Sequence, residues 1–237
     1  MGTVIAQNLI ENSGYKTSQV KVLKKSNKNQ HLDVDYMTST SSLPEEYQAD
    51  LVFIAVKPQN AAEILEQFSQ EKIFHKDTIF ISLLAGKKLD FFAKHFGKDA
   101  KIVRSMPNLP IKDAQGIFPY LANENVTQTE VKSLQKTFSH FGQSFQLEKE
   151  ELFDVTTAIF GSGPAYIFYL QEIFNDIAIK AGLEKDQAAL LVQTLFLGTS
   201  LMSCNSELNF TKLHQSVTSK GGTTQAALEV FQKDSAL

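Results

Sequence analysis

Apolar residues recur at helical spacing from the start of the chain. Val4, Ile5, Ala6, Leu9 and Ile10 line one side of Thr3 to Ser13, and Gly14 stands where a helix C′ residue belongs. The period then changes. Val20 to Leu23 is a short β-type run closed by the polar KKSNKN, and Leu51 to Val56 (LVFIAV) is a continuous apolar run between Asp50 and Lys57-Pro58. A run of that kind suits a strand covered on both faces. Pro58 fits the first position of a helix over PQNAAEILEQFSQE, DTIFISLLAG repeats the strand and turns at Gly86, and KKLDFFAKHFG reads as a helix stopped by glycine. AKIVRSMPNLP gives a further strand that runs into a proline-bounded loop. The alternation predicts a parallel sheet flanked by helices.

After GIFPYLAN, the helix TQTEVKSLQKTFSHFG and the β-like SFQLEKE, strand signals stop near Glu150. From Leu152 onward only helices are predicted: Pro164 to Ala181, Lys185 to Cys204, a short one around Lys212, and Gly222 to Phe231. This divides the chain into an α/β domain over residues 1–150 and an all-α domain over 151–237. With no Ser/Gly-rich linker between them, the two are expected to pack closely. In the helix from Pro164, apolar residues including Tyr166, Phe168, Tyr169, Ile173, Phe174 and Ile177 wrap beyond a single stripe. Such a helix is expected to be buried on several sides. A second subunit is the simplest source of the covering surface, and the centre of a monomeric bundle is the alternative.

Composition narrows the chemistry. A chain of 237 residues with 43% hydrophobic positions can build a real core, and a formal charge of −3 with scattered Lys and Arg gives no field for nucleic acid or an anionic membrane. The lone Cys204 excludes an intramolecular disulfide and fits a reducing cytoplasm; no secretory leader pattern opens the chain. The apolar runs fall short of the roughly 20 residues of a bilayer span, so none is expected. The five histidines are scattered without ligand spacing, and no metal site is expected.

In a doubly wound sheet ligands bind at the carboxyl ends of the strands. Lys24, Lys25 and Ser26 follow the second expected strand, where an acidic residue would accept the 2′-hydroxyl of NAD. Cations and a hydroxyl suit a 2′-phosphate instead, which favours NADPH, against the reading as a solvated turn. Ala55 to Pro58 and Leu84 to Gly86 close two more strands with small residues that let backbone approach a flat ligand. In VTSKGGTTQAAL, glycines and threonines feed a helix start, which reads either as an anion site or as a simple threonine cap. No nucleophile elbow, P-loop or Cys-His pair occurs, so hydride transfer, which needs positioning rather than a nucleophile, remains.

The motifs AVKPQ, VRSMPNLP, FGSGPAYIFYLQEI, AGLEKDQA and VTSKGGTTQAAL, in this order and spacing, resemble the pyrroline-5-carboxylate reductases over essentially the whole chain. The resemblance implies a Rossmann-type dinucleotide-binding domain and a helical domain that dimerises by interlocking with its partner, with active sites between subunits. It implies cofactor contacts at Ala55, Val56, Lys57, Pro58, Leu84, Ala85 and Gly86, the 2′-phosphate region at Lys24, Lys25 and Ser26, and Met106, Pro107 and Asn108 beside the nicotinamide. Glu207, Gly222, Thr223 and Thr224 fall on the substrate-carboxylate positions, Thr224 as the catalytic positioning residue. The implied reaction is hydride transfer from NADPH, or NADH, to the cyclic imine, the last step of proline biosynthesis. A dimerising homologue without activity, and a reductase for another imine or a β-hydroxyacid, stay open as alternatives.

Ser42 stands where the family has an adenosine-contacting asparagine, and Lys220 replaces the proline before Gly221-Gly222. The family begins with a strand and G-x-G-x-M-G, of which Met1-Gly2 match the end, and it continues with helix beyond VFQKDSAL. The resemblance therefore predicts that both ends are cut, that Gly2 is the last glycine of the cofactor loop, and that the sheet lacks its first, central strand.

Overall fold

The structure is a computed structural model that describes residues 1–24 and 34–234. It divides into two compact units, Met1–Tyr166 and Ile167–Leu237.

In the first unit, the opening periodicity forms α1 (Gly2–Glu11), which buries Ile5, Ala6 and Leu9. Asn8, 1% exposed, shares that face and donates from Nδ2 to the Ile111 carbonyl at 2.9 Å, which satisfies its buried amide. Two parallel strands, β1 (Lys21–Leu23) and β2 (Asp35–Met37), make a small sheet. The main sheet has five strands in chain order: β3 (Leu51–Ile54), β4 (Ile79–Ser82), β5 (Lys101–Ser105), β6 (Gly116–Ala122) and β7 (Gly142–Gln146). All neighbours are parallel except β5 and β6. Among the described residues no strand stands between β1 and β3, the edges that a doubly wound order joins through a central strand. Val20 and Val22 nevertheless pack in the same apolar cluster as Leu51 and Phe53.

Strand alternation sorts the side chains onto two faces. Ile79, Ile81 and Val103 point to the cluster that contains α1 and the later helix α4 (Gln128–Phe138). Phe80 and Ile102 point to the opposite cluster, covered by α2 (Ala61–Phe68) and α3 (Leu89–Phe96), where Phe80 stacks on Phe96 at 3.9 Å. The sequence expectation of a helix from Pro58 holds with one change: Pro58–Asn60 is a 3₁₀ turn that leads into α2.

GIFPYLAN, which periodicity leaves unassigned, supplies β6 although it contains Pro119. The missing donor is tolerated because Pro119 is used as an acceptor, by Ser105 Oγ at 2.8 Å and by the Met106 amide at 3.3 Å. β6 starts opposite β7 at a glycine pair. Gly142 has φ +125°, and a Cβ there would lie 2.3 Å from the Gly116 carbonyl oxygen. After β7 come α5 (Leu152–Thr156), a π-helical turn over Thr157–Gly161, and α6 (Gly163–Lys180), which crosses into the second unit.

The second unit continues with α7 (Lys185–Cys204), α8 (Phe210–Ser216) and α9 (Thr223–Asp234). The expectation that α6 is buried on several sides is not met within one chain, where none of its residues is buried. Phe174 meets Phe196 edge-on at 5.8 Å, and Ala188 and Val192 are buried. Most of the remaining apolar surface faces outward. One helix among the described residues, α7, has the length and mean hydropathy (20 residues, 1.3) of a segment able to cross a membrane. The run-length reading missed this because Gln193, Thr194, Gly198 and Thr199 interrupt the apolar runs without lowering the average far enough.

The architecture is thus an α/β Rossmann-type unit followed by a helical one, as the sequence predicts.

Candidate functional site

Register decides where the strand-end loops meet. Leu51, Ile79 and Lys101 pair across β3, β4 and β5, and so do Ile54, Ser82 and Arg104. The three parallel strands therefore end level. The segments Ala55–Pro58, Leu84–Gly86 and Met106–Asn108 leave the same edge of the sheet. The start of α1 reaches that edge too, since a Cβ added at Gly2 would lie 3.2 Å from Ala55 Cβ. The Ile5 amide, bonded to the Met1 carbonyl, opens the helical ladder. The amides of Gly2, Thr3 and Val4 precede it at the positive end of the helix.

Each loop is held differently. Leu84 is 2% exposed and anchors its loop in the core, while Ala85 and Gly86 are exposed and Gly86 takes φ +71°. The Leu84 amide donates to Ser82 Oγ at 3.2 Å. The loop's far end is the Leu89 amide at the start of α3, which donates to Glu150 Oε1 at 2.8 Å. The same oxygen accepts from Arg104 Nη1 at 3.0 Å, and the Arg104 guanidinium lies 4.3 Å above the Phe153 ring. Arg104 is 5% exposed, so this ion pair balances a charge that would otherwise be isolated in the core.

Asn108 is 7% exposed and works as a bracket. Its Oδ1 accepts from the Ile117 amide at 2.8 Å, and its Nδ2 donates to the Phe160 carbonyl at 3.1 Å. It thereby ties β6 to the π-turn before α6. Met106 reaches the same turn, its Cε 4.0 Å from where a Cβ on Gly161 would sit. Single π-turns are rare and are found frequently at functional sites.

On the small sheet, the Lys24 ammonium lies 4.9 Å over the Tyr36 ring, and its amide donates to the Met37 carbonyl. Lys25 and Ser26 lie outside the described residues. Ser42 ends a 3₁₀ turn, and its hydroxyl donates to the Ser39 carbonyl at 3.0 Å.

In the second unit, Gly221 takes φ +73° and its amide donates to Gln225 Oε1 at 2.7 Å, while the Gly222 amide donates to the Ser219 carbonyl. The first intrahelical bond of α9 is from Ala226 to Gly222. Gln225 thus closes the helix start, and among the described contacts neither the Thr223 nor the Thr224 hydroxyl is engaged. The simple threonine cap is set aside by this arrangement. Glu207 is exposed between α7 and α8. Among the described residues, no group of three His, Cys, Asp or Glu is placed to hold a metal ion.

Comparison with known proteins gives one family match towards each end of the chain. Residues 150–236 match the family described as pyrroline-5-carboxylate reductase dimerisation, and residues 1–86 match the NADP oxidoreductase, coenzyme F420-dependent family. A pyrroline-5-carboxylate reductase of Staphylococcus epidermidis is 27% identical over 98% of this chain and 86% of its own length. The solved pyrroline carboxylate reductase of Plasmodium falciparum, described with NADP bound, superposes with a TM-score of 0.88 at 29% identity, over 99% of this chain and 86% of that one. The corresponding enzyme of Coxiella burnetii gives 0.81 at 29% identity, over 98% and 86%. Along nearly its whole length the chain is thus similar to the pyrroline-5-carboxylate reductases. A prephenate dehydrogenase of A. aeolicus, at 16% identity and a TM-score of 0.56, shares the fold alone.

The structure brings Gly2, Ala55–Pro58, Leu84–Gly86 and Met106–Asn108 to one sheet edge. Glu207, Gly222, Thr223 and Thr224 belong to the other unit. Sequence reading missed Arg104, Glu150 and Gln225. Arg104 carried a usable signal, since a lone charge inside the apolar strand KIVRS must find a partner. Glu150 carried none, because its contact lies 61 positions away.

Proposed function

We propose that the chain is an NADPH-dependent reductase of 1-pyrroline-5-carboxylate that forms L-proline, with residues 1–150 holding cofactor and 151–237 serving the substrate and a second subunit. The observation that carries this is the level edge, where three loops and the start of α1 converge. The edge fits a dinucleotide. At Gly2 a side chain would crowd Ala55, and Gly86 takes a left-handed φ, so both positions favour close approach of backbone. Ala55–Pro58 and Ala85–Gly86 flank the cofactor, Lys24 serves its 2′-phosphate, Ser42 lies on the adenosine side, and Met106, Pro107 and Asn108 shape the nicotinamide end.

Bound cofactor supplies the hydride for C5 of the imine. The protein's own part is positioning. The first-turn amides of α9, with the Thr223 and Thr224 hydroxyls and Glu207, hold the substrate carboxylate, and Thr224 orients the ring so that the protonated imine presents its carbon. The NADP named for the Plasmodium relative and for the matched family supports NADPH over NADH. The outward apolar surface of α6 and α7 supports a homodimer through the helical unit, and a cytoplasmic setting accords with the exposed free Cys204.

The test is oxidation of NADPH and NADH by the purified chain with pyrroline-5-carboxylate. Turnover with NADPH, and a Thr224→Val variant whose KM for the imine rises more than its KM for NADPH, are expected. No turnover together with no cofactor-induced rise in Tm would overturn the reading in favour of an inactive dimerising homologue.

A further inference from the structure

The segment Leu84–Lys88 is pinned at both ends by side chains that lie outside it. At its start, Ser82 Oγ takes the Leu84 amide. At its end, Glu150 Oε1 takes the Leu89 amide and so caps α3, whose own N-cap residue, Lys88, offers no side-chain acceptor. The two anchors are adjacent, because Ser82 is the register partner of Arg104, and Arg104 holds the Glu150 carboxylate. Phe153, under the guanidinium, fixes the direction of that arginine. Helix α3 thus takes its cap from a carboxylate beyond β7, placed where the helix dipole favours negative charge. For helix stability alone, Asp or Ser at position 88 would serve, without a buried arginine.

We propose that Glu150 is a positioning residue. Through Arg104 and the α3 cap it sets the shape of the loop Leu84–Lys88, and hence the affinity of this edge for a dinucleotide. The inference rests on the reading that Ala85 and Gly86 flank the cofactor.

The test compares the wild-type full chain with Glu150→Gln and Glu150→Ala by hydrogen exchange and by NADPH titration. For Glu150→Ala, amides 84–89 are expected to exchange about tenfold faster, the scale of one charge-assisted hydrogen bond, while those of β3 and β6 stay unchanged. The dissociation constant for NADPH should rise by about the same factor. Glu150→Gln keeps an acceptor for Leu89 and should fall between. If Glu150→Ala does not fold, the neutral pair Arg104→Met with Glu150→Gln takes its place. It should leave the loop less protected than Glu150→Gln alone, because the acceptor for Leu89 is then no longer held by Arg104. Unchanged loop exchange, or faster exchange across the whole sheet, would overturn the proposal. A wild-type chain that binds no NADPH would sink the cofactor reading, and the exchange measurements would still decide what Glu150 does to the loop.

Discussion

In Met1–Tyr166, Phe118, Phe138 and Phe141 are fully buried, while in Ile167–Leu237 Phe168, Phe210 and Phe231 stand 58%, 80% and 63% exposed. The residue type is the same and its fate is opposite. The first unit owns a sheet with two faces, and helices cover each face, so its aromatics find walls within the chain. The second unit is a set of helices of about 70 residues, too small to enclose helices that are apolar almost all round. The lesson is that hydrophobicity in this chain has two outcomes, burial completed by folding in the first unit and exposure within one chain in the second.

The largest effect is expected where that contrast is sharpest. If the proposed homodimer forms through the helical unit, Phe168→Asp combined with Leu197→Asp should remove it, read by light scattering as a fall to the 26.4 kDa monomer, with the α/β unit still folded. A persistent dimer would show that α6 and α7 are not the interface. Next, Phe138→Ala in the first unit should cost about 3–5 kcal/mol in urea unfolding, because its ring stacks on Phe118 with no room to collapse. The same truncation at Phe210 should cost far less in the monomer.

A smaller effect is expected at Asn108. Asn108→Ala leaves the Ile117 amide and the Phe160 carbonyl without partners, at about 1–3 kcal/mol. Asn108→Asp keeps the acceptor for Ile117 but sets a buried carboxylate oxygen against the Phe160 carbonyl, so it should cost at least as much as alanine. A wild-type stability in both variants would remove the bracket role.

The smallest expected effect lies at the opposite end of the sheet, where Lys101 bonds Asp77 at 2.8 Å and Glu130 at 2.6 Å. The hydrogen bond from Lys101 holds the Asp77 carboxyl below its ordinary value. At Glu130, burial pushes upward, but hydrogen bonds from Lys101 and from the Thr127 amide and hydroxyl outweigh it, so the net direction is also down. Both carboxylates therefore stabilise the fold fully above the ordinary carboxylate range of about 4 and lose that contribution as pH falls through their lowered folded values. Lys101 runs the other way. Bonds to Asp77 and Glu130 raise it, so its contribution is complete below about pH 10 and is lost as pH rises through the raised value. Lys101→Met should flatten both limbs of a plot of Tm against pH. A profile unchanged by that substitution would remove the cluster's role.

Legibility in the sequence followed the range of the interactions. The strands LVFI, IFIS and KIVRS and the helices from Lys185 and Gly222 could be read because their periods are local, though LVFI, expected to be covered on both faces, is a half-buried edge strand; the strand-end loops followed from the rule that parallel strands present their carboxyl ends together. The strand through Pro119 could not, since it depends on acceptors used by Ser105 and Met106. The Asn108 bracket joins residues 52 apart and the α3 cap residues 61 apart, and local pattern carries no record of either.

By itself, then, the sequence determined an α/β part followed by a helical part, the likeness to the pyrroline-5-carboxylate reductases, and the loops that follow the strands, because each rests on local period or on motif order. Only the tertiary structure decided that the β3, β4 and β5 loops end level, that Asn108 and Glu150 are brackets, that Gln225 closes the start of α9, and that α6 is exposed within one chain. Those outcomes depend on strand register and on which polar atoms remain unpaired after the chain has packed, and neither is encoded in any short stretch of residues.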